Sequence, residues 1–285
     1  MKTYNELQDK LNKYIEQHRE EVTEINDYLA NHPEPSGYEK NSSAKIVEFL
    51  RGKGFTVEYP FCGFDYAFHA VYGDQKHTRK AGIFCEYDAL PEIGHACGHC
   101  LSGSISLLAA LALIELQDDL DCDIHIFGSP LEEVSGCKMN FAEEGYLDGF
   151  GLATMVHMYN KNIIAPQLIA LDSYLYTFHG KVAHAAVNPW DGINALNAVQ
   201  LMFHGMDMLR QHVHPEVRMH AVIKEGGLAA NIVPDKATAE VYVRAPKWAD
   251  VVDVVKKVDG CAEGGCNATG ATWEKARTYP TKTAT

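Results

Sequence analysis

A chain of 285 residues, 46% hydrophobic and 22% charged, is long enough for one large domain or two modest ones around a sizeable core. Its formal net charge of −13 argues against nucleic acid and anionic membrane surfaces as partners. The N-terminus Met1-Lys2-Thr3-Tyr4-Asn5-Glu6 is polar and unlike a signal peptide, and no run of about eighteen apolar residues occurs, so a cytoplasmic location without a membrane span is expected. Leu7, Leu11, Tyr14, Ile15, Val22, Ile25 and Leu29 recur at helical spacing, which predicts an amphipathic helix over the first 31 residues, ended by Pro33 and Pro35. A second helix is expected after Ser42 and Ser43, read as N-caps, running through Ile46, Phe49 and Leu50 to Gly54. Strand-like runs follow at 55–59, 66–72 and 81–87, then a helix over 101–116, a strand at 122–128, a helix near 136–147 and a strand at 152–159. Strands alternating with helices imply an α/β layer structure with a largely parallel sheet.

The pattern changes near residue 170. A strand is predicted at 171–177, a long helix at 192–212, strands at 218–224 and 237–243 around Gly226-Gly227, a helix at 250–261 and a strand at 271–277. This β-α-β-β-α-β order is the ferredoxin-like arrangement. It divides the chain into a first domain over 1–169 and a smaller α+β domain over 170–280. The final Thr281-Lys282-Thr283-Ala284-Thr285 is a polar tail with no packing signal. The eight cysteines read as buried thiols or metal ligands rather than a disulfide framework.

Three features could carry chemistry. The densest is Cys85-Glu86-Tyr87-Asp88-Ala89-Leu90-Pro91 followed by Gly94-His95-Ala96-Cys97-Gly98-His99-Cys100, between an apolar strand and a helix. Cys97 and His99 flank a glycine that permits a tight turn, so both could converge on one ion, and thiolate with imidazole suits zinc and its neighbours. The second is Glu132-Glu133 after the strand 122–128. Adjacent carboxylates on extended backbone point to opposite sides, so one could bind a metal while the other faces the substrate water. The third is His157, expected at the end of another apolar strand on the same sheet edge.

In chain order these residues resemble the zinc aminoacylase and glutamate carboxypeptidase family, above all its aminobenzoyl-glutamate hydrolase and aminoacylase-1-like branch. The likeness rests on Glu86 to Pro91, Gly94 to His99 and Pro130-Leu131-Glu132-Glu133. Further along it rests on Gly180 to Ala186, Pro189, Gly192 to Leu196 and Asn231-Ile232-Val233-Pro234-Asp235. The resemblance implies a catalytic domain followed by a lid or dimerisation domain. It implies Cys97, His99, Glu133 and His157 as ligands of two divalent ions, zinc or else manganese or cobalt. Glu132 would be the general base, Asp88 would orient a neighbour, His184 of a partner's lid would stabilise the oxyanion, and Asn231 would face the substrate. The implied reaction is hydrolysis of an amide bond in N-acyl amino acids, aminobenzoyl-glutamate-like compounds or small dipeptides, by a homodimer paired through its lids.

Two departures modify these expectations. Cys100 stands where the family usually has Asn or Asp, which makes a Cys97-Gly98-His99-Cys100 string open to a dithiol redox reading. The last histidine is His220, inside the lid, whereas the family supplies one more metal-binding histidine after the lid. A catalytic domain lacking its C-terminal portion is therefore expected. A catalytically impaired homologue, acting at most as a dimerising or binding protein, is the alternative.

Overall fold

The computed structural model describes residues 2–164, 166 and 168–278. The polar tail, and the end of the second domain expected at 280, lie outside the described residues. The chain divides into two compact units, Met1–Asn162 and Ile163–Thr285.

The first unit opens with helix α1 (Tyr4–Asn31), started by a capping box in which Thr3 and Glu6 bond each other's backbone N–H. Its buried stripe is Val22, Ile25 and Leu29, the C-terminal part of the predicted apolar face, extended by His18, which that face did not include. Helix α2 (Lys40–Gly52) begins before the two serines read as caps; Ser42 and Ser43 are interior and buried. The cap comes from outside the helix. Glu34 Oε1 accepts from Asn41 N at 3.1 Å and Glu34 Oε2 from Ser42 N at 2.7 Å, satisfying donors that a local serine would otherwise serve.

Five strands follow: β1 (Phe55–Glu58), β2 (Phe68–Tyr72), β3 (Arg79–Glu86), β4 (Cys122–Ser129) and β5 (Leu152–Thr154). Helix α3 (His99–Ile114) and the short α4 (Gln117–Leu120) link β3 to β4, and α5 (Lys138–Glu143) lies between β4 and β5. The sheet order is β1-β2-β4-β3-β5. β4, β3 and β5 run parallel, while β1 and β2 add an antiparallel edge. One face packs on α1, α2 and α3 through Leu29, Ile46, Leu50, Leu107, Leu111, Ile124 and Ile126. The other carries a smaller aromatic cluster of Phe61, Phe84, Phe127 and Phe141. No helix among the described residues is long and apolar enough to cross a membrane.

That second face also holds a pair of imidazoles, His125 buried and His69 half-buried. His69 of β2 and His125 of β4 stack at 5.2 Å and share one hydrogen bond of 2.9 Å between ring nitrogens. His125 Nε2 has no hydrogen-bond partner. Burial first, then the neighbouring His125 and Lys80 charges, hold His69 down to about 4. Burial and Lys80 hold His125 down to about 4, against the pull of Asp123, which is itself bonded to His77 at 2.6 Å. An imidazole free at 6.5 when unfolded and near 4 when folded takes up its proton preferentially in the unfolded chain. Stability is therefore lost as pH falls from 6.5 to 4 and is level below that. The loss should be about 3 kcal/mol from the buried His125, with a smaller addition from His69, whose ring is partly screened. In urea melts, H69F/H125L should lose this slope; an unchanged pH dependence would assign the acid sensitivity elsewhere.

The second unit contains β6 (Ala170–His179), α6 (Ala195–Leu209), β7 (Arg218–Glu225), β8 (Lys236–Ala245), α7 (Trp248–Thr269) and β9 (Thr272–Arg277). The sheet is antiparallel throughout with order β7-β8-β6-β9, the ferredoxin-like arrangement. Alternate residues Ala237, Ala239, Val241, Val243 and Ala245 of β8 are buried in one cluster with Val199, Met202 and Met206 of α6 and Val251, Val254 and Val258 of α7. Helix α7 runs two turns past the predicted end at 261. Ala262, Gly265 and Cys266 continue its buried face, and Gly270 at φ +79° terminates it.

Candidate metal centre

The site is built at the C-terminal ends of β3 and β4 and the N-terminus of α3, where an open α/β sheet presents its loops. Gly98 is the N-cap of α3 at φ +88°, the left-handed region that a glycine occupies without strain. A Cβ at that position would also come within 2.7 Å of Met158 Cγ. The turn thus places Cys97 outside the helix and His99 as its first residue. His99 is fully buried.

Asp88 fixes the imidazole. Its Oδ1 lies 2.9 Å from His99 Nδ1, while its Oδ2 accepts from Ser36 Oγ and from Glu133 N at 3.0 Å. With Nδ1 donating to Asp88, the ring, once it has given up its second proton, turns the lone pair of Nε2 toward the remaining groups. Around Nε2 stand Glu86 Oε2 at 3.4 Å, Glu132 Oε2 at 3.7 Å and Glu133 Oε1 at 3.9 Å. Cys97 Sγ is 3.7 Å from His157 Nε2, and the His99 and His157 rings meet edge to face at 5.4 Å.

Cys97, His99, Glu133 and His157 are therefore brought together, with Glu132 beside them and Asp88 behind. Two details differ from the sequence reading. Strand β5 ends at Thr154, not 159, so His157 lies on a loop. Ser102 Oγ donates to Val156 O, and Met158 packs on Gly98, so this segment is drawn to the start of α3 instead of along β3. Glu132 and Glu133 occupy a turn rather than extended backbone. Leu131 takes φ +66°, and the N–H groups of Val134, Ser135 and Gly136 all return to its carbonyl. Both carboxylates consequently point the same way, toward Nε2.

Sequence reasoning missed three supporting residues. Glu86 is fully buried and paired through Oε1 with Lys138. A charged residue closing the run Ile83-Phe84-Cys85, buried on both faces, was the available signal. Ser36 supports Asp88. Glu39, also fully buried, accepts from Leu131 N at 2.8 Å and so holds the turn bearing the paired glutamates. Both lie in the loop before α2, and no motif there points to the site.

The electrostatics are those of a cation site. Burial opposes a charge on His99, but the Asp88 bond and the Glu86, Asp88 and Glu132 carboxylates outweigh it and raise the imidazole to about 9. Burial, the Glu133 contact and the surrounding carboxylates push the Cys97 thiol up to about 12. Burial raises Cys100 as well. Those shifts run opposite to the lowered thiol of a redox dithiol and disfavour that reading. The residues present fit a divalent ion. His99 Nε2, Glu86 Oε2 and Glu133 Oε1 are buried without hydrogen-bond partners, and two donor triads lie within 4.8 Å, Cys97–His99–His157 and Glu86–His99–Glu132.

His184 and Asn231 lie in the second unit. They are joined by an isolated bridge from His184 to Ile232 and by Ala185 N donating to Asn231 O at 3.0 Å. His184 Nδ1 accepts from Ala186 N at 3.2 Å, which leaves Nε2 to carry the proton on an exposed side chain.

Residues 171–267 match the family model described as the peptidase dimerisation domain. The chain is 34% identical over 197 residues to the Xaa-Arg dipeptidase of Mus musculus, covering 68% of this chain and 46% of that protein. It is 30% identical over 286 residues to a p-aminobenzoyl-glutamate hydrolase polypeptide of Escherichia coli, covering 91% and 58%. Its fold is shared with a Bacillus subtilis dinuclear metal-binding peptidase of the M20 family, at a TM-score of 0.70 and 19% identity over 94% of this chain and 74% of that one. The second unit carries the peptidase dimerisation domain, and the likeness over the rest of the chain is to peptidases and amidohydrolases of the M20 kind. It spans about half the length of the curated relatives it matches.

Proposed function

We propose that this protein hydrolyses the amide bond of N-acyl amino acids, aminobenzoyl-glutamate-like compounds or small dipeptides, using two divalent ions, zinc or else manganese or cobalt. The observation that carries the reading is the convergence of Cys97, His157, Glu132 and Glu133 on a buried His99 Nε2 that has no hydrogen-bond partner. The names of the two curated relatives, a dipeptidase and an aminobenzoyl-glutamate hydrolase, support the substrate class.

Cys97, His99, Glu133 and His157 would hold the ions. Bound there, they supply Lewis acidity toward the scissile carbonyl and a water of lowered pKa. Glu132 takes the proton of the attacking water and returns it to the departing amine. Burial and the Glu86 charge raise its carboxyl above the usual range, which matches a base that must also give the proton back. Asp88 keeps His99 in the tautomer that offers Nε2. His184 of a partner would donate its Nε2–H to the oxyanion, with Asn231 beside it facing the substrate. The match to a dimerisation domain supports a homodimer through the second unit.

The test is metal analysis together with hydrolysis of a panel of N-acyl amino acids, p-aminobenzoyl-glutamate and dipeptides, with light scattering for the dimer. Hydrolysis should require added divalent ion and stop with chelator. A metal-loaded protein that cleaves no member of the panel would remove the reading.

A further inference from the structure

Glu86 is the carboxylate that the fourfold ligand set leaves unexplained. Its side chain is 1% exposed, and Lys138 engages only Oε1. Oε2 is buried without a hydrogen-bond partner, a costly state for a carboxylate oxygen unless a cation meets it. It lies 3.4 Å from His99 Nε2, closer than either glutamate of the pair. Two donors of one tetrahedral ion, each about 2.0–2.1 Å from it, stand roughly 3.4 Å apart. The backbone beneath is fixed. Glu86 ends β3, paired in register with Ser129 of β4, and Gly103 of α3 packs so tightly on the Glu86 carbonyl that a Cβ there would collide with it. The side chain also points where an ion on Nε2 would sit, since its donor atoms, with those of His99 and Glu132, fall within 4.8 Å of one another.

We propose that Glu86 is a direct ligand of the metal centre through Oε2, with Lys138 holding Oε1 and balancing the additional carboxylate. The assignment rests on the metal-dependent reading above. It gives the first unit a ligand contributed by β3 itself, so the cluster around His99 is closed from the sheet side as well as from the loops. An ion there meets a donor set richer in carboxylate than Cys97, His99, Glu133 and His157 alone.

The experiment is titration of the metal-free protein with Co2+, read by binding isotherm and by the visible absorption band at saturation, for the parent, E86Q and E86D. Circular dichroism and thermal melts establish that each variant is folded. E86D keeps the buried negative charge, which guards against loss of fold in E86Q. The expected result is affinity weakened about tenfold or more in E86Q, with an altered band in both variants at saturation. Parent-like affinity and spectrum in a folded variant would overturn the assignment. Weaker binding with an unchanged band at saturation would also overturn it, because Glu86 would then be a neighbouring charge. A parent protein that takes up no Co2+ removes the metal reading itself, and this assignment with it.

Discussion

Glu132→Gln should lower kcat for amide hydrolysis by about 10²–10⁴ while leaving metal content near that of the parent. The two glutamates are chemically identical, and their surroundings separate them. Glu133 is tied in through its backbone N–H to Asp88 at 3.0 Å, and its side chain is 19% exposed. Glu132 has no such anchor among the described residues, and its side chain is 36% exposed, so it reaches both the cluster and incoming water. Its carboxyl is held above the usual range, chiefly by burial and then by Glu86. Glutamine keeps the shape and cannot take a proton, so the loss should fall on kcat with KM little changed. Glu133→Gln should instead lose metal. If E132Q lost metal and E133Q lost only turnover, the two roles would be exchanged.

The parts of this molecule that could be read from its sequence are those set by local patterning. The strand and helix order of the second unit followed from periodicity, because β8 alternates and α6 repeats every three to four residues. Cys97, His99 and Glu133 were found through short motifs, positioned by the turns at Gly98 and Leu131, whereas His157 was found only through its place after an apolar strand. What escaped reading depends on distant contacts. The cap of α2 is Glu34, a residue on the loop before the helix, and no local rule places it there. The antiparallel edge formed by β1 and β2 is a matter of strand partners rather than composition. Glu86 acquires its meaning from Lys138, 52 residues away, and Ser36 from Asp88 at the same separation. The common direction of Glu132 and Glu133 follows from one positive φ at a leucine, which sequence seldom announces.

Metal uptake should be strongly proton-coupled. An ion at this centre requires neutral imidazole and thiolate. In the metal-free protein His99 stands near 9 and Cys97 near 12, so at pH 6 to 8 both still carry protons that must leave. Loss of two protons steepens apparent affinity by about a hundredfold per pH unit, tenfold for each proton. The sign for stability is opposite. His99, raised above its unfolded 6.5, contributes to the metal-free fold fully below 6.5, and that contribution is lost as pH rises through about 9. The metal-free protein should therefore weaken over the range in which the loaded protein gains most from its ion. Titrations in buffers of different ionisation enthalpy measure the protons released, and melts with and without Zn2+ measure the divergence. Cys97→Asp replaces a protonated thiol by a carboxylate that is already ionised, so its pH slope should fall to about tenfold per unit. An affinity independent of pH would mean that Cys97 and His99 do not surrender protons to the ion, and the centre would then have to be built without them.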